Sequence, residues 1–122
     1  MRASRWLGLA GCAVALSAGA SPETPVTRRV PQFENESVRV WKSLIVPGQP
    51  LTLHRHEHGR VIVALRGGTL RIVKESGESR AVTWETGSAY WLDADPPGER
   101  HGDTNEGPDP IEVMVVEMAA RN

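Results

Sequence analysis

The chain holds four histidines, and three of them crowd together as His54, His56 and His58, with His101 far downstream. In an extended strand, side chains at i and i+2 share a face. His54 and His56 therefore point the same way, and so does His58 if the strand runs that far. Two imidazoles on one face can grip a divalent metal ion, and a third from another strand closes such a site. His101 is the one remaining histidine to supply it. Three imidazoles suit iron, manganese, zinc or nickel alike. An HxH pair also arises by chance on exposed polar strands, so its surroundings decide.

Those surroundings read as short strands. Residues 37–46 carry Val38 and Val40 in alternation before an apolar stretch, and residues 51–56 alternate again. Residues 60–66 are β-branched and apolar, as a buried strand should be. Gly67-Gly68 signals a hairpin into residues 69–73, and the polar run 75–79 signals another turn. Further strands are expected at 80–85, 88–92 and 111–118, with Pro96-Pro97-Gly98 and residues 105–108 as punctuation. No stretch beyond residue 20 keeps helical periodicity for three turns. About seven short strands joined by turns predict an all-β sandwich or small barrel. Trp41 and Trp84 are expected in its core. Of the neighbours Tyr90 and Trp91, one must face inward. Asp103 and Asn105 are expected to organise a turn.

From Gly48 to Asn105 the chain resembles the cupin family. Gly48, His54, His56 and Gly67 stand at the spacings of that family's first motif. Gly87, Gly98, His101 and Asn105 match the second, although Asp93 stands where a Pro is usual and three extra residues lie between Asp93 and Gly98. The resemblance implies a single small jelly-roll β-barrel. It also implies that His54, His56 and His101 bind a divalent transition metal inside it, with Gly67 and Gly98 at turns where positive φ is tolerated.

One position breaks the pattern. The family's glutamate ligand is replaced by Arg60. A divalent ion on three neutral imidazoles carries +2, and a guanidinium ~5 Å away would repel it by about 6 kcal/mol at an effective dielectric of ~20. That weakens binding by about four decades. Three arrangements avoid the penalty. Arg60 turns aside to pair with an acid such as Glu57 or Glu99; it stands off the metal and holds an anionic substrate, which its planar fork suits; or the barrel holds no metal and its His and Arg form an anion pocket. His58 or Glu99 could replace the missing ligand. Arg60, His58 and Trp91 are the candidate substrate contacts.

The 122 residues make one domain. With 14 Lys+Arg against 15 Asp+Glu and few aromatics, the chain lacks the charge and stacking surface of a nucleic-acid binder. Residues 1–20 begin with Arg2 and Arg5, continue through a short apolar run and end in Ala18-Gly19-Ala20, the pattern of a secretory signal peptide. The apolar run is far short of a membrane span. Cleavage after Ala20 takes the formal charge from −1 to −3 and removes Cys12, the only cysteine, so disulfides and Cys–His catalysis are excluded. Leu9-Ala10-Gly11-Cys12 also resembles a bacterial lipobox, which would instead anchor the chain by a lipid on Cys12. Either product is exported, and a periplasmic location is expected. Residues 21–36 read as an extended leader and residues 37–119 as the barrel domain. A core this small would gain from a homodimer.

Two classes of function fit. One is an oxygenase- or isomerase-type enzyme acting on a small anionic substrate at the metal. The other is a non-catalytic periplasmic binder of a metal or small anion, with a metal-free His/Arg pocket as its limiting form. The discriminating feature is room beside the metal.

Overall fold

Alternating burial along β-branched strands sets the architecture. The computed structural model describes residues 24–120, so the expected signal peptide and lipobox lie outside the described residues. Nine strands follow in order: β1 (Arg28–Glu34), β2 (Val38–Ile45), β3 (Leu51–His54), β4 (Arg60–Arg66), β5 (Gly68–Lys74), β6 (Ser79–Trp84), β7 (Ala89–Leu92), β8 (His101–Asn105) and β9 (Ile111–Met118). They form two antiparallel sheets, one ordered β1-β2-β9-β4-β7 and the other β3-β8-β5-β6. This is the all-β jelly-roll architecture expected from the sequence. The sheets face each other as a sandwich, and no ladder joins them into a closed cylinder among the described residues. No helix of the described residues is long and apolar enough to cross a membrane.

The inner faces follow period two. In β9, Ile111, Val113 and Val115 are buried while their neighbours are only partly so. In β4, Arg60, Ile62 and Ala64 are the buried set. With Trp41, Ile45, Leu70 and Trp84 these apolar residues make one core cluster. Trp41 and Trp84 thus take the core positions expected of them.

Of the two turn glycines, Gly67 departs from expectation and Gly98 meets it. Gly67-Gly68 makes no hairpin, because β4 and β5 belong to opposite sheets and the chain crosses between them there. Gly67 does not have positive φ. Its lack of a side chain matters because a Cβ would stand 2.1 Å from the Trp84 carbonyl oxygen. Gly98, in contrast, has φ +76°. It follows Pro97 in a tight turn closed by the Glu99 N–H donating to the Pro96 carbonyl at 3.1 Å, the Pro-Gly chemistry of a type II turn.

Strands β1 and β8 were not foreseen. β1 lies within the expected leader and pairs with β2 along most of its length. It is exposed throughout, so its sequence carries no alternation to read. β8 is polar, His-Gly-Asp-Thr-Asn, and takes its place by pairing with both β3 and β5.

Candidate metal centre

β3 and β8 bring the distant histidines together. His54 ends β3 and is the register partner of His101, which opens β8. His56 follows in the connection to β4 and still turns inward. One ring nitrogen from each of the three lies within 4.8 Å of the others. The ring centroids are 4.5 Å apart for His54 and His101, 4.9 Å for His54 and His56, and 5.7 Å for His56 and His101. His56 and His101 are buried. Trp41 lies parallel to His56 at 6.2 Å and walls its outer side.

Hydrogen bonds fix which nitrogen is free in two of the three rings. Nδ1 of His54 lies 2.7 Å from the Thr52 carbonyl oxygen. A carbonyl only accepts, so Nδ1 carries the proton and Nε2 keeps its lone pair. That Nε2 is buried and has no hydrogen-bond partner. Nδ1 of His56 lies 2.9 Å from Oε2 of Glu117, which likewise directs its Nε2 lone pair away. A carboxylate or carbonyl behind each of these two imidazoles is the outer support that metal-binding histidines use. Burial lowers the pKa of all three histidines. The neutral form, the one able to ligate, is thereby favoured.

Three carboxylates that the sequence reading did not assign to the site surround the imidazoles. Oδ2 of Asp95 accepts from the His56 backbone N–H at 2.7 Å and lies 3.4 Å from Nδ1 of His101. Asp103 reaches within 3.6 Å of His54 Nε2 and 3.9 Å of His101 Nε2. Glu117 holds His56. Burial favours protonating Glu117, but its hydrogen bond to His56 and the nearby charges of Arg60 and His58 hold its pKa below the usual carboxylate value.

Arg60 is buried at the first inward position of β4 and lines the cavity. It pairs with neither Glu57 nor Glu99, the acids expected for it. Its Nη1 donates to the Asp93 carbonyl at 3.1 Å. Glu99 instead meets Lys74 at 2.9 Å, and Glu57 meets Arg55. A second guanidinium comes from β1: Arg29 lies 5.1 Å over the Trp41 ring and lines the same cavity. Burial lowers the pKa of both guanidiniums against the pull of the acids, and both stay charged at neutral pH. Three carboxylates against two guanidiniums leave the surroundings with one net negative charge. The repulsion expected from Arg60 alone is thereby offset.

The cavity itself is small, about 30 Å³, with apolar walls including Ile62, Trp84 and Val113. Beside it runs a cleft of about 480 Å³ that shares Arg29, Trp41 and His56 with the cavity.

No protein-family model matches the chain, and no curated protein does. Solved structures do. A cupin domain from Bordetella pertussis superimposes with a TM-score of 0.68 at 24% identity, over 82% of this chain and all of that one. The chain has the cupin fold. A cupin family protein with a double-stranded β-helix fold from Methanocaldococcus jannaschii gives 0.60 at 13% identity, covering 82% of this chain and 86% of its own. A Klebsiella pneumoniae protein with a double-stranded β-helix domain gives 0.57 at 23% identity, over 83% and 90%.

Within this cupin fold the expected site residues divide. His54, His56, His101 and Arg60 converge on one cavity. His58 and Trp91 do not line it. β3 ends at His54, so the alternation that carried His56 inward fails two residues on, and His58 joins a surface depression with Glu117 and Met118. Trp91 is 55% exposed and donates from Nε1 to the Asp93 side chain at 2.8 Å. Its neighbours Tyr90 and Leu92 pack against the core instead. Glu99, a candidate replacement ligand, precedes the start of β8, so lying two residues before His101 does not turn it inward. Asn105 organises the following turn, donating to the Ile45 and Asp109 carbonyls and accepting from the Gly107 N–H. Asp103 is a strand residue rather than a turn residue.

A signal for two of the missed acids was present. Asp103 is two residues from His101, and Glu117 continues the 111, 113, 115 alternation. Asp95 sits in a loop and Arg29 in an aperiodic segment, so neither had one.

Proposed function

We propose that this chain is an exported cupin that binds one divalent transition-metal ion on His54, His56 and His101 and offers it to a small anionic molecule. One observation carries the metal. Nε2 of His54 is a buried lone pair with no partner, its other nitrogen being committed to Thr52. An unsatisfied buried acceptor costs about 1–3 kcal/mol, and a ligated ion removes that cost. The donor set fits iron, manganese, zinc or nickel. When bound, the ion would supply a Lewis acid with open positions, suited to oxygenase- or isomerase-type chemistry on an oxygen-bearing substrate.

The chain's own residues supply the rest. Arg60 keeps donors beyond its one bond to the Asp93 carbonyl, and Arg29 stands at the rim; both suit a carboxylate. Thr52 and Glu117 hold the imidazoles in register. A cavity of about 30 Å³ has room for an ion with a water or two. An organic anion must therefore approach through the adjoining cleft, past Arg29 and Trp41. This tightness favours a second reading, a periplasmic protein that sequesters the ion without turning a substrate over.

Elemental analysis tests the metal. Protein purified without a nickel column should carry about one transition-metal ion per chain, and His101→Ala should carry essentially none while remaining folded. Equal metal in both proteins rejects the assignment.

A further inference from the structure

We infer that Asp103 is the fourth protein ligand of that ion and takes over the charge compensation lost where Arg60 replaces a glutamate. The inference rests on the three-histidine reading and adds a residue to it. Asp103 sits on the inward face of β8, two residues after His101, and its side chain is 13% exposed. Its carboxylate stands 3.6 Å from His54 Nε2 and 3.9 Å from His101 Nε2. Two donors held ~2.1 Å from a tetrahedral ion lie about 3.4 Å apart, so the first of these separations is nearly that of two ligands sharing a metal.

The chemistry of the pair leads to the same place. His54 donates from Nδ1 to a carbonyl, so its Nε2 is an acceptor. A carboxylate is also an acceptor. Two acceptors 3.6 Å apart need a proton or a cation between them, because a water donating to both would hold them about 4.5 Å apart. No proton donor fills the role: among the described residues the Asp103 carboxylate receives no hydrogen bond, and neither Arg29 nor Arg60 comes within ion-pair distance of it. The other two acids differ on this point. Asp95 is occupied by the His56 backbone N–H and Glu117 by the His56 ring. Asp103 alone of the three faces the imidazoles with its oxygens uncommitted.

The assignment also explains why Arg60 is tolerated. A carboxylate ligand from β8 returns the metal and its ligands to +1, the charge that the usual glutamate would give. The chain has thus moved the acid from β4 to β8 and left the β4 position to a cation.

Cobalt(II) binding to the metal-free full chain tests this, because its visible bands report the ligand set as well as affinity. Asp103→Asn should weaken Co²⁺ binding by at least the ~10- to 100-fold that loss of an outer support costs and should shift the visible bands. Asp95→Asn should leave the bands in place. Asp103→Glu, which keeps the carboxylate, should bind more tightly than Asp103→Asn and guards against a variant that fails to fold. The metal-free Asp103→Asn chain should melt no lower than the parent, since it loses a buried charge that has no donor. If Asp103→Asn keeps both affinity and bands while His101→Ala loses binding, Asp103 is not a ligand and the three-histidine reading stands. If the parent chain itself takes up no Co²⁺, both fall together.

Discussion

The wall built from β2, β9 and β4 and the pair β3–β8 are made on different terms. β2 and β9 run in register through eight consecutive residue pairs, and their inward side chains are apolar and buried except for Ser43 and, at the cavity end, Glu117. β3 has only four residues, its pairing with β8 shifts register between Leu51 and His54, and the polar side chains the pair turns inward are His54 opposite His101, and Asp103 opposite Leu51. The first region satisfies itself: any apolar neighbour completes an apolar contact. The second leaves acceptors facing acceptors and is complete only with something added. The apolar wall and the ligand-holding pair thereby stand apart, and they meet where Arg60 and Glu117 pair across the ends of β4 and β9.

That separation can be broken from the apolar side first. Ile111 is 1% exposed and does not line the metal cavity. Ile111→Ala should cost about 2–5 kcal/mol of unfolding free energy, read by denaturant melting. Metal taken up per folded chain should stay at the parent value. A matching loss of metal would mean that the two walls are not independent.

Acid should act through the other side. Burial lowers the pKa of His54, His56 and His101, so the unfolded chain binds protons more readily than the folded one. The stability of the metal-free protein should be full above pH ~6.5, the unfolded histidine value, and should fall as the pH drops below it. Glu117, held down mainly by His56 against its burial, adds a loss of the same sign further into acid. Melts of the metal-free chain between pH 7.5 and 5 would show the decline, and a His54→Ala, His101→Ala double variant should flatten it. A parent curve that is level or rising toward acid would remove the buried neutral imidazoles from the account.

The sequence shows the apolar wall plainly because burial writes itself as period two: residues 38–46, 60–66 and 111–118 could be read as strands directly. The same rule found His54 and His56 and would have found Asp103 and Glu117 had it been carried through the polar strand and to the end of the last one. It failed at His58 and Glu99 because parity is guaranteed only within a strand, and β3 stops at His54 while β8 starts at His101; His56, also past the end of β3, is held by Asp95 and Glu117 rather than by strand pairing. It could not find Arg29 or Asp95. Their positions come from a strand exposed on both faces and from a loop, where no alternation constrains the sequence. Gly67 shows a further limit: a glycine pair reads as a hairpin, yet here it lets the chain pass close to the Trp84 carbonyl while changing sheets.

The smallest expected effect is the most exacting test of the division. Trp91 has the composition of a pocket wall but lies outside, half exposed, over Gly59, where a Cβ would meet its ring at 2.3 Å. Removing it uncovers backbone next to Arg60 without touching the cavity. Trp91→Ala should therefore lower stability by no more than about 1 kcal/mol and leave Co²⁺ affinity within about threefold. The Asp93 side chain loses a donor, but the Asp93 carbonyl that holds Arg60 keeps its place in the backbone. If metal affinity moved by tenfold instead, the outer surface of β7 would be coupled to the histidines through Arg60, and the guanidinium would have to be counted among the groups that set the ion's affinity.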